Sequence, residues 1–286
     1  MNEKHDSAIR PSEATHIAWT AVERSRHPQR PHTLDYVQKI FSDYEELRGD
    51  RSYADDAALV AGVGTLKSVD GGAEQSVFFL GNQKGRSTKQ KIERNFGMAN
   101  PEGYRKAIRI MEMADRFRKP IVTFIDTPGA FPGIAAEERG QAEAIASSIL
   151  RMSELKVPSV AIVIGEGGSG GALAIGVADR LLMLRNSTYS VISPESCAAI
   201  LWANAGEAKQ AAVALKITAK HVRSLGICDE VIEEPEAGAH ADVEGVAAHL
   251  NGRIQHHLRE LGGFTPEKRA QLKFEKYRLI DEKLRG

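Results

Sequence analysis

Two runs, Pro120-Ile-Val-Thr-Phe-Ile-Asp126 and Pro158-Ser-Val-Ala-Ile-Val-Ile164, limit the possible folds more than anything else in the chain. Each is short, β-branched and apolar at nearly every position, where a half-solvated strand would alternate. A strand that is apolar on both sides must be covered on both sides. The expected class is therefore α/β, a largely parallel sheet with helices over its faces. Helical spacing at Pro101–Arg118, Glu137–Leu155 and Ala172–Val177 supplies that cover. Shorter strands are expected at Ala58–Leu66 and Ser76–Leu80, around the turn Asp70-Gly71-Gly72, and at Arg180–Leu184, Tyr189–Ile192 and Asp229–Ile232.

Thr33 can cap a helix in which Leu34, Val37, Ile40, Phe41, Tyr44 and Leu47 recur at helical spacing until Gly49 stops it. Residues 1–32 hold few large apolar side chains and read as a loosely ordered arm with a short helix around Ile17–Arg24. Further helices are expected at Pro194–Trp202, Gly206–Leu215 and Ala219–Leu225, and residues 241–286 form a helical tail, Asp242–Leu261 and Pro266–Leu284. On the last helix Leu272, Tyr277, Leu279, Ile280 and Leu284 make a thin apolar stripe among charges, which suits either a partner or an ordinary surface helix.

Lys+Arg and Asp+Glu number 38 each, so no overall field recruits nucleic acid or an anionic membrane, and an anion site must be a local cluster. Two cysteines, Cys197 and Cys228, form no CxxC pair, so neither a disulfide framework nor a metal site is expected in this chain. The chain opens on no secretory h-region, and no run reaches the ~20 apolar residues of a membrane span. A cytoplasmic protein is expected.

The second apolar run leads into Gly165-Glu166-Gly167-Gly168-Ser169-Gly170-Gly171-Ala172, in which five of eight residues are glycine. Glycine lets backbone amides approach a ligand, and a following helix adds free N–H donors and a positive dipole end. Phosphate or a developing oxyanion fits such a turn. Three readings stay open. Gly165, Gly167 and Gly170 spell the dinucleotide fingerprint GxGxxG, yet strand 180–184 ends in Arg185-Asn186 where that fingerprint wants an acid. Gly167, Ser169 and Gly171 spell GxSxG, so Ser169 could serve a serine hydrolase, with Asp179 or Asp229 and His240 following in the right order. In the third reading Ser169 only spaces the amides of an oxyanion hole.

The first apolar run ends in Asp126-Thr127-Pro128-Gly129-Ala130-Phe131-Pro132-Gly133, a rigid turn at the carboxyl end of a strand, where ligands of open α/β sheets bind. DTPG resembles the DxxG of GTPases, but the chain has no GxxxxGK[ST]. Lys84, Arg86, Lys89, Lys91 and Arg94 form the strongest local positive cluster. Lys84 and Arg86, flanking Gly85 directly after a strand, are its candidates for a phosphate or carboxylate, whereas the others suit a solvated helix face.

Taken in order, RPHTLDY (31–37), GDRSYADD (49–56), GNQKGR (81–86), NFGMANPEGYRKA (95–107), FIDTPGAFPG (124–133), AEERGQAEAIA (136–146), VIGEGGSGGALAIGV (163–177), STYSVISPESCAAILW (187–202) and EEPEAGAH (233–240) resemble the α subunit of bacterial acetyl-CoA carboxylase carboxyltransferase. The resemblance spans about Pro28 to His240. It implies a crotonase-like (ClpP/crotonase) spiral of ββα units with helical N- and C-terminal extensions, a division that pattern alone does not draw. The corresponding domains are an arm at 1–32, the carboxyltransferase domain at 33–240 and a helical extension at 241–286.

The implied reaction moves a carboxyl group from carboxybiotin, tethered to the biotin carboxyl carrier protein and not bound covalently here, onto acetyl-CoA. The product is malonyl-CoA, at the first committed step of fatty acid biosynthesis. Implied partners are a β subunit carrying a zinc ribbon, in an α2β2 assembly, together with the carrier protein and biotin carboxylase. Negative charge develops on an oxygen of each substrate, so the family resemblance implies one oxyanion hole per subunit. By the same resemblance the biotin-side hole falls on the backbone of Gly170, Gly171 and Ala172, with Gly167 and Gly168 beside it and Gly129 and Ala130 on the facing loop. Lys84 and Arg86 remain candidate substrate contacts. The chain departs from the pattern at Asn82, where His is expected, at Phe131, where Tyr is usual, and at Ser196, where Gly is usual.

Overall fold

The computed structural model describes residues 11–285 except 70 and 73, so the turn expected at Asp70-Gly71-Gly72 lies partly outside the described residues. The described residues begin with α1 (Pro11–Ser25) and α2 (Thr33–Ile40), followed by β1 (Phe41–Glu46), β2 (Leu59–Leu66) and β3 (Gln75–Asn82). Next come α3 (Thr88–Glu93), α4 (Pro101–Phe117), β4 (Ile121–Thr127), α5 (Ile134–Glu138) and α6 (Gln141–Ser153). The chain continues with β5 (Ser159–Gly168), α7 (Ser169–Leu173), β6 (Arg180–Leu184), β7 (Thr188–Ser190) and α8 (Pro194–Trp202). It closes with α9 (Ala208–Ala214), α10 (Ala219–Ser224), β8 (Glu230–Ile232), α11 (Val243–Gly262) and α12 (Pro266–Arg285).

Among the described residues eight strands make one sheet in the order β1-β2-β3-β4-β5-β6-β8, and β7 pairs with the end of β5. The β1–β2 and β2–β3 pairs are antiparallel, and all later pairs are parallel. The two apolar runs are the central strands, and their side chains divide between two cores. Ile121, Ile125, Ala161 and Val163 pack with Tyr104, Met111 and Met152 beneath α4 and α6. Val122, Phe124, Ile162 and Ile164 pack with Tyr36, Leu250 and Ile254 from α2 and α11. Both faces are closed, as a run without alternation requires.

Several expectations are corrected. The helix expected from Thr33 to Gly49 ends at Ile40, and Phe41–Glu46 is an edge strand. Its neighbour decides this. A Cβ at Gly62 would lie 2.2 Å from the Glu45 carbonyl, and one at Gly64 would lie 2.6 Å from the Phe41 ring. These two bare positions on β2 let an extended segment press against it. The helix expected at 137–155 is broken at Gly140, whose φ of +81° is the left-handed region glycine adopts readily. Strand 158–164 runs on to Gly168, because Gly167 and Gly168 pair with Tyr189 and Ser190 of β7. The helix that follows covers Ser169–Leu173, earlier and shorter than the expected 172–177.

The arm is not loose over its described residues. Ala18 and Val22 pack on Ala212 and Ile217. Arg30, 1% exposed, donates from Nε to the Ile164 carbonyl at 2.6 Å and pairs with Glu234 at 3.0 Å. The terminal helix α12 is anchored by its cations. Buried Arg269 and Lys273 reach the carbonyls of Phe264 and Met152, while Leu279 stays exposed. The side chain of Leu284 lies outside the described residues. Among the described residues no helix is long and apolar enough to cross a membrane.

Candidate active site at the ends of β4 and β5

Strands β4 and β5 run in register through Ile125 and Val163, then slip, so that Thr127 meets Gly167. The extra residues on β5 bulge around the Asp126 carboxylate. The Glu166 amide donates to Asp126 Oδ1 at 3.1 Å, and a Cβ at Gly165 would fall 2.3 Å from that oxygen. The first glycine of the run thus makes room for a side chain from the neighbouring strand.

Beyond the bulge the two loops touch backbone to backbone. A Cβ at Gly168 would meet the Pro128 carbonyl oxygen at 2.1 Å, and one at Gly171 would meet the Ala130 nitrogen at 2.7 Å. The 127–133 loop is held to receive this contact. Thr127 Oγ1 accepts from the Gly129 amide at 3.1 Å and donates to the Gly129 carbonyl at 2.6 Å. Gln141 Nε2 donates to the Phe131 carbonyl at 2.9 Å. Gly168 and Gly171 therefore meet Gly129 and Ala130 directly, Ala172 follows in α7, and Gly167 lies beside Thr127 with its bare face toward the Tyr189 ring. Ser169 swings the chain from strand to helix with φ of 49°, an uncommon conformation for a non-glycine residue. Gly170 and Gly171 fall in the first turn of α7, where amides have no partner inside the helix. A cavity of about 320 Å³ opens beside Ser169 and Gly170, walled by Leu173, Tyr189, Val191 and Leu225.

Among the described residues no histidine bonds to the exposed Ser169, and the partners a hydrolase would need are engaged elsewhere. Asp179 pairs with Lys273, Asp229 pairs with Lys276, and His240 stacks on His27 with centroids 3.7 Å apart. The dinucleotide reading also fails, because the run Arg180–Leu184 ends in Arg185, paired with Glu233.

Lys84 and Arg86 are not free cations. Lys84 Nζ lies 2.8 Å from Asp126 Oδ1 and 2.8 Å from Glu166 Oε2, and Arg86 reaches Asp35 at 2.6 Å. Arg26 bridges Glu166 and Glu195 at 2.6 Å each, and His32 Nδ1 lies 3.1 Å from Asp126 Oδ2. Burial disfavours charge on Lys84, but the two carboxylates outweigh it and push its pKa up to about 12. Burial likewise opposes charge on Asp126, yet Lys84 and His32 hold its carboxyl well below the usual range. Sequence reading missed Arg26, His32, Asp126 and Glu166 as one group. The available signals were a carboxylate inside a glycine run and another closing an apolar strand.

The three departures are accommodated. Buried Asn82 spans from the Gly97 carbonyl to the Asp126 amide through long contacts of 3.5 and 3.4 Å. Phe131 keeps its backbone anchor, donating to the Ala99 carbonyl at 3.0 Å. Ser196 takes its place in the first turn of α8, its amide donating to the capping Ser193 hydroxyl at 3.2 Å.

The family described as acetyl co-enzyme A carboxylase carboxyltransferase-like matches residues 2–281. The acetyl-coenzyme A carboxylase carboxyl transferase subunit alpha of Photorhabdus laumondii is 56% identical over 259 residues, which are 91% of this chain and 79% of that protein. The protein of that description from Geobacter sulfurreducens is 54% identical over 268 residues, 94% of this chain and 82% of its own. Transcarboxylase 12S, solved with methylmalonyl-coenzyme A bound, superposes with a TM-score of 0.65 at 22% identity, over 87% of this chain. This chain spans 44% of that polypeptide. A chain of a Pseudomonas malonate decarboxylase hetero-tetramer superposes with a TM-score of 0.64 at 17% identity, over 87% of this chain and 98% of its own. The structural likeness establishes the crotonase-like fold. The sequence likeness goes further: the chain belongs to the acetyl-CoA carboxylase carboxyltransferase α-subunit family and so to the biotin-dependent carboxyltransferases.

Proposed function

We propose that this α subunit helps transfer the carboxyl group of carboxybiotin to acetyl-CoA by holding a developing oxyanion on the backbone amides of Gly171 and Ala172. The observation that carries the reading is the contact of the two loops. Gly168 and Gly171 press on Pro128, Gly129 and Ala130 so closely that no side chain fits between them. A cradle made of backbone alone can present N–H groups to an oxygen and offers no competing nucleophile.

The residues suit a biotin group. The cavity beside Ser169 and Gly170, at the start of α7, is walled mainly by apolar side chains, which suits an apolar bicyclic ring. When bound, carboxybiotin supplies the carboxyl group and an oxygen on which negative charge grows. The chain's own part is positional. Gly171 and Ala172 aim donors at that oxygen, the α7 dipole adds positive potential, and Ala130, packed against the core, keeps water from the facing side. Ser169 spaces the amides and does no chemistry.

The partners are read as a zinc-ribbon β subunit in an α2β2 assembly, which would contribute the hole for the acetyl-CoA side, with the biotin carboxyl carrier protein and biotin carboxylase completing the cytoplasmic system. The carboxyltransferase unit is taken as residues 33–240, between the arm at 1–32 and the helical extension at 241–286. The arm nonetheless sends Arg26 and His32 into the site. The test is malonyl-CoA-dependent carboxylation of free biotin by the chain with and without the β subunit. Turnover is expected only with both present, and full turnover by the lone chain would overturn the subunit reading.

A further inference from the structure

Lys84 contacts both carboxylates that close the catalytic strands. Asp126 ends β4 and Glu166 sits in the bulge of β5, so one ammonium at 2.8 Å from each joins the two strand ends that launch the facing loops. The chain is shaped to admit it. A Cβ at Gly97, where φ is +83°, would lie 2.9 Å from Lys84 Cγ, and Gly165 is bare where Asp126 needs room. The outer partners, His32 on Asp126 and Arg26 on Glu166, come from the arm, and Arg26 extends the chain of contacts to Glu195 on α8. Around Lys84 and Arg26 stand three carboxylates, Asp126, Glu166 and Glu195. Without Lys84, the two at the strand ends would face one another with one cation fewer between them.

We propose that Lys84 is a positioning residue for carboxyl transfer: its ammonium fixes Asp126 and Glu166, and through them the spacing between the 129–130 loop and the 171–172 amides. This deepens the reading given above and rests on it. A substrate-contact role is a different claim, because two of the three donors of the Lys84 ammonium are engaged with its own chain. Buried charge pairs of this kind are sensitive to loss of one member, and amide placement at a reacting oxygen tolerates little displacement.

The experiment compares Lys84→Met, Lys84→Arg and wild type in the complex with the β subunit, by malonyl-CoA-dependent carboxylation of biotin. Lys84→Met is expected to lower kcat about 100-fold, with KM for malonyl-CoA changed by no more than about twofold. Lys84→Arg, which keeps the charge, should recover at least about tenfold of that loss. A raised KM at unchanged kcat, or wild-type kinetics in Lys84→Met, would overturn the positioning role. If Lys84→Met fails to assemble, Glu166→Gln keeps the side-chain shape while weakening its contacts to Lys84 and Arg26, and should cost about tenfold in kcat at constant KM; wild-type kinetics there would overturn it equally.

Amide hydrogen exchange separates this proposal from the functional reading. In Lys84→Met, segment 165–173 should exchange at least about tenfold faster while 243–262 is unchanged. Equal exchange in 165–173 would refute the positioning even if the complex transferred no carboxyl group, whereas an inactive wild-type complex would refute the functional reading alone.

Discussion

Two buried aspartates stand at opposite ends of the sheet, and the contrast between them explains how this fold separates chemistry from stability. Asp126 closes β4 at its carboxyl end and is 1% exposed, while Asp179 precedes β6 at the amino end and is 4% exposed. Each has a lysine, Lys84 at 2.8 Å and Lys273 at 3.1 Å. What differs is the cargo. Asp126 and Lys84 are linked to glycine loops that touch backbone to backbone. Asp179 accepts from the Ser159 amide at 2.9 Å and holds α12 through Lys273. One ion pair aligns two loops and the other staples a terminal helix. The same interaction serves chemistry or stability according to the elements at its two ends.

The comparison breaks most sharply at Gly168. An added Cβ there cannot move a flexible side chain aside, because it meets the Pro128 carbonyl oxygen at 2.1 Å. Gly168→Ala is expected to lower kcat of the assembled complex at least about 100-fold, by parting the loops, and wild-type turnover would contradict the loop contact. At the other end Lys273→Met should remove about 3 kcal/mol of stability in denaturant unfolding, leaving Asp179 buried with a weaker cationic partner. Its turnover per folded molecule should stay within about twofold of wild type, since the Lys273 partners, Asp179 and the Met152 and Ser153 carbonyls, belong to neither loop. A large kcat loss there would erase the distinction.

A third buried aspartate sharpens the comparison. Asp56 is 4% exposed and is answered by the amides of Ala58 and Asn100, while the nearby Lys106 ammonium reaches the Asp55 carboxylate and the Asp56 carbonyl. Burial raises its pKa to about 6, which the two amides and Lys106 only partly offset. For Asp126 the direction is reversed. A raised folded-state pKa means that the protonated form stabilises the fold. That contribution is complete below the ordinary carboxylate value and is lost as pH rises through about 6. Asp56→Asn should flatten the stability profile between about pH 4 and 6, where the wild type should lose roughly 2–3 kcal/mol. An unchanged slope in the variant would assign it to another group.

The strands and the glycine turn were legible because their signals are local. An apolar run with no alternation has few homes, and five glycines before a helix have few uses. Edge strand β1 was not legible, since Phe41, Tyr44 and Leu47 sit at helical spacing and the deciding residues, Gly62 and Gly64, belong to its partner. Lys84 stood out as a cation beside a glycine, yet nothing near it in sequence announces Glu166, 82 residues away. Arg26 and Glu166 are 140 residues apart. Contacts of that kind form only when a sheet brings strand ends together, so the ion-pair chain had to be read from the fold. The same holds for α12, whose thin apolar stripe gave no sign of the contacts that Arg269, Lys273 and Lys276 make with Asp179 and Asp229.

The most direct measurement sets Gly171→Ala beside Ser169→Ala in the complex with the β subunit, following malonyl-CoA-dependent carboxylation of biotin. A Cβ at Gly171 meets the Gly129 carbonyl carbon at 2.6 Å and the Ala130 nitrogen at 2.7 Å, so it must disturb the amide cradle. Gly171→Ala should lose at least about 100-fold in kcat, as removal of an oxyanion donor does, whereas Ser169→Ala should keep kcat within about threefold. The opposite result, a dead Ser169→Ala and an active Gly171→Ala, would place the chemistry on a side chain and contradict backbone catalysis.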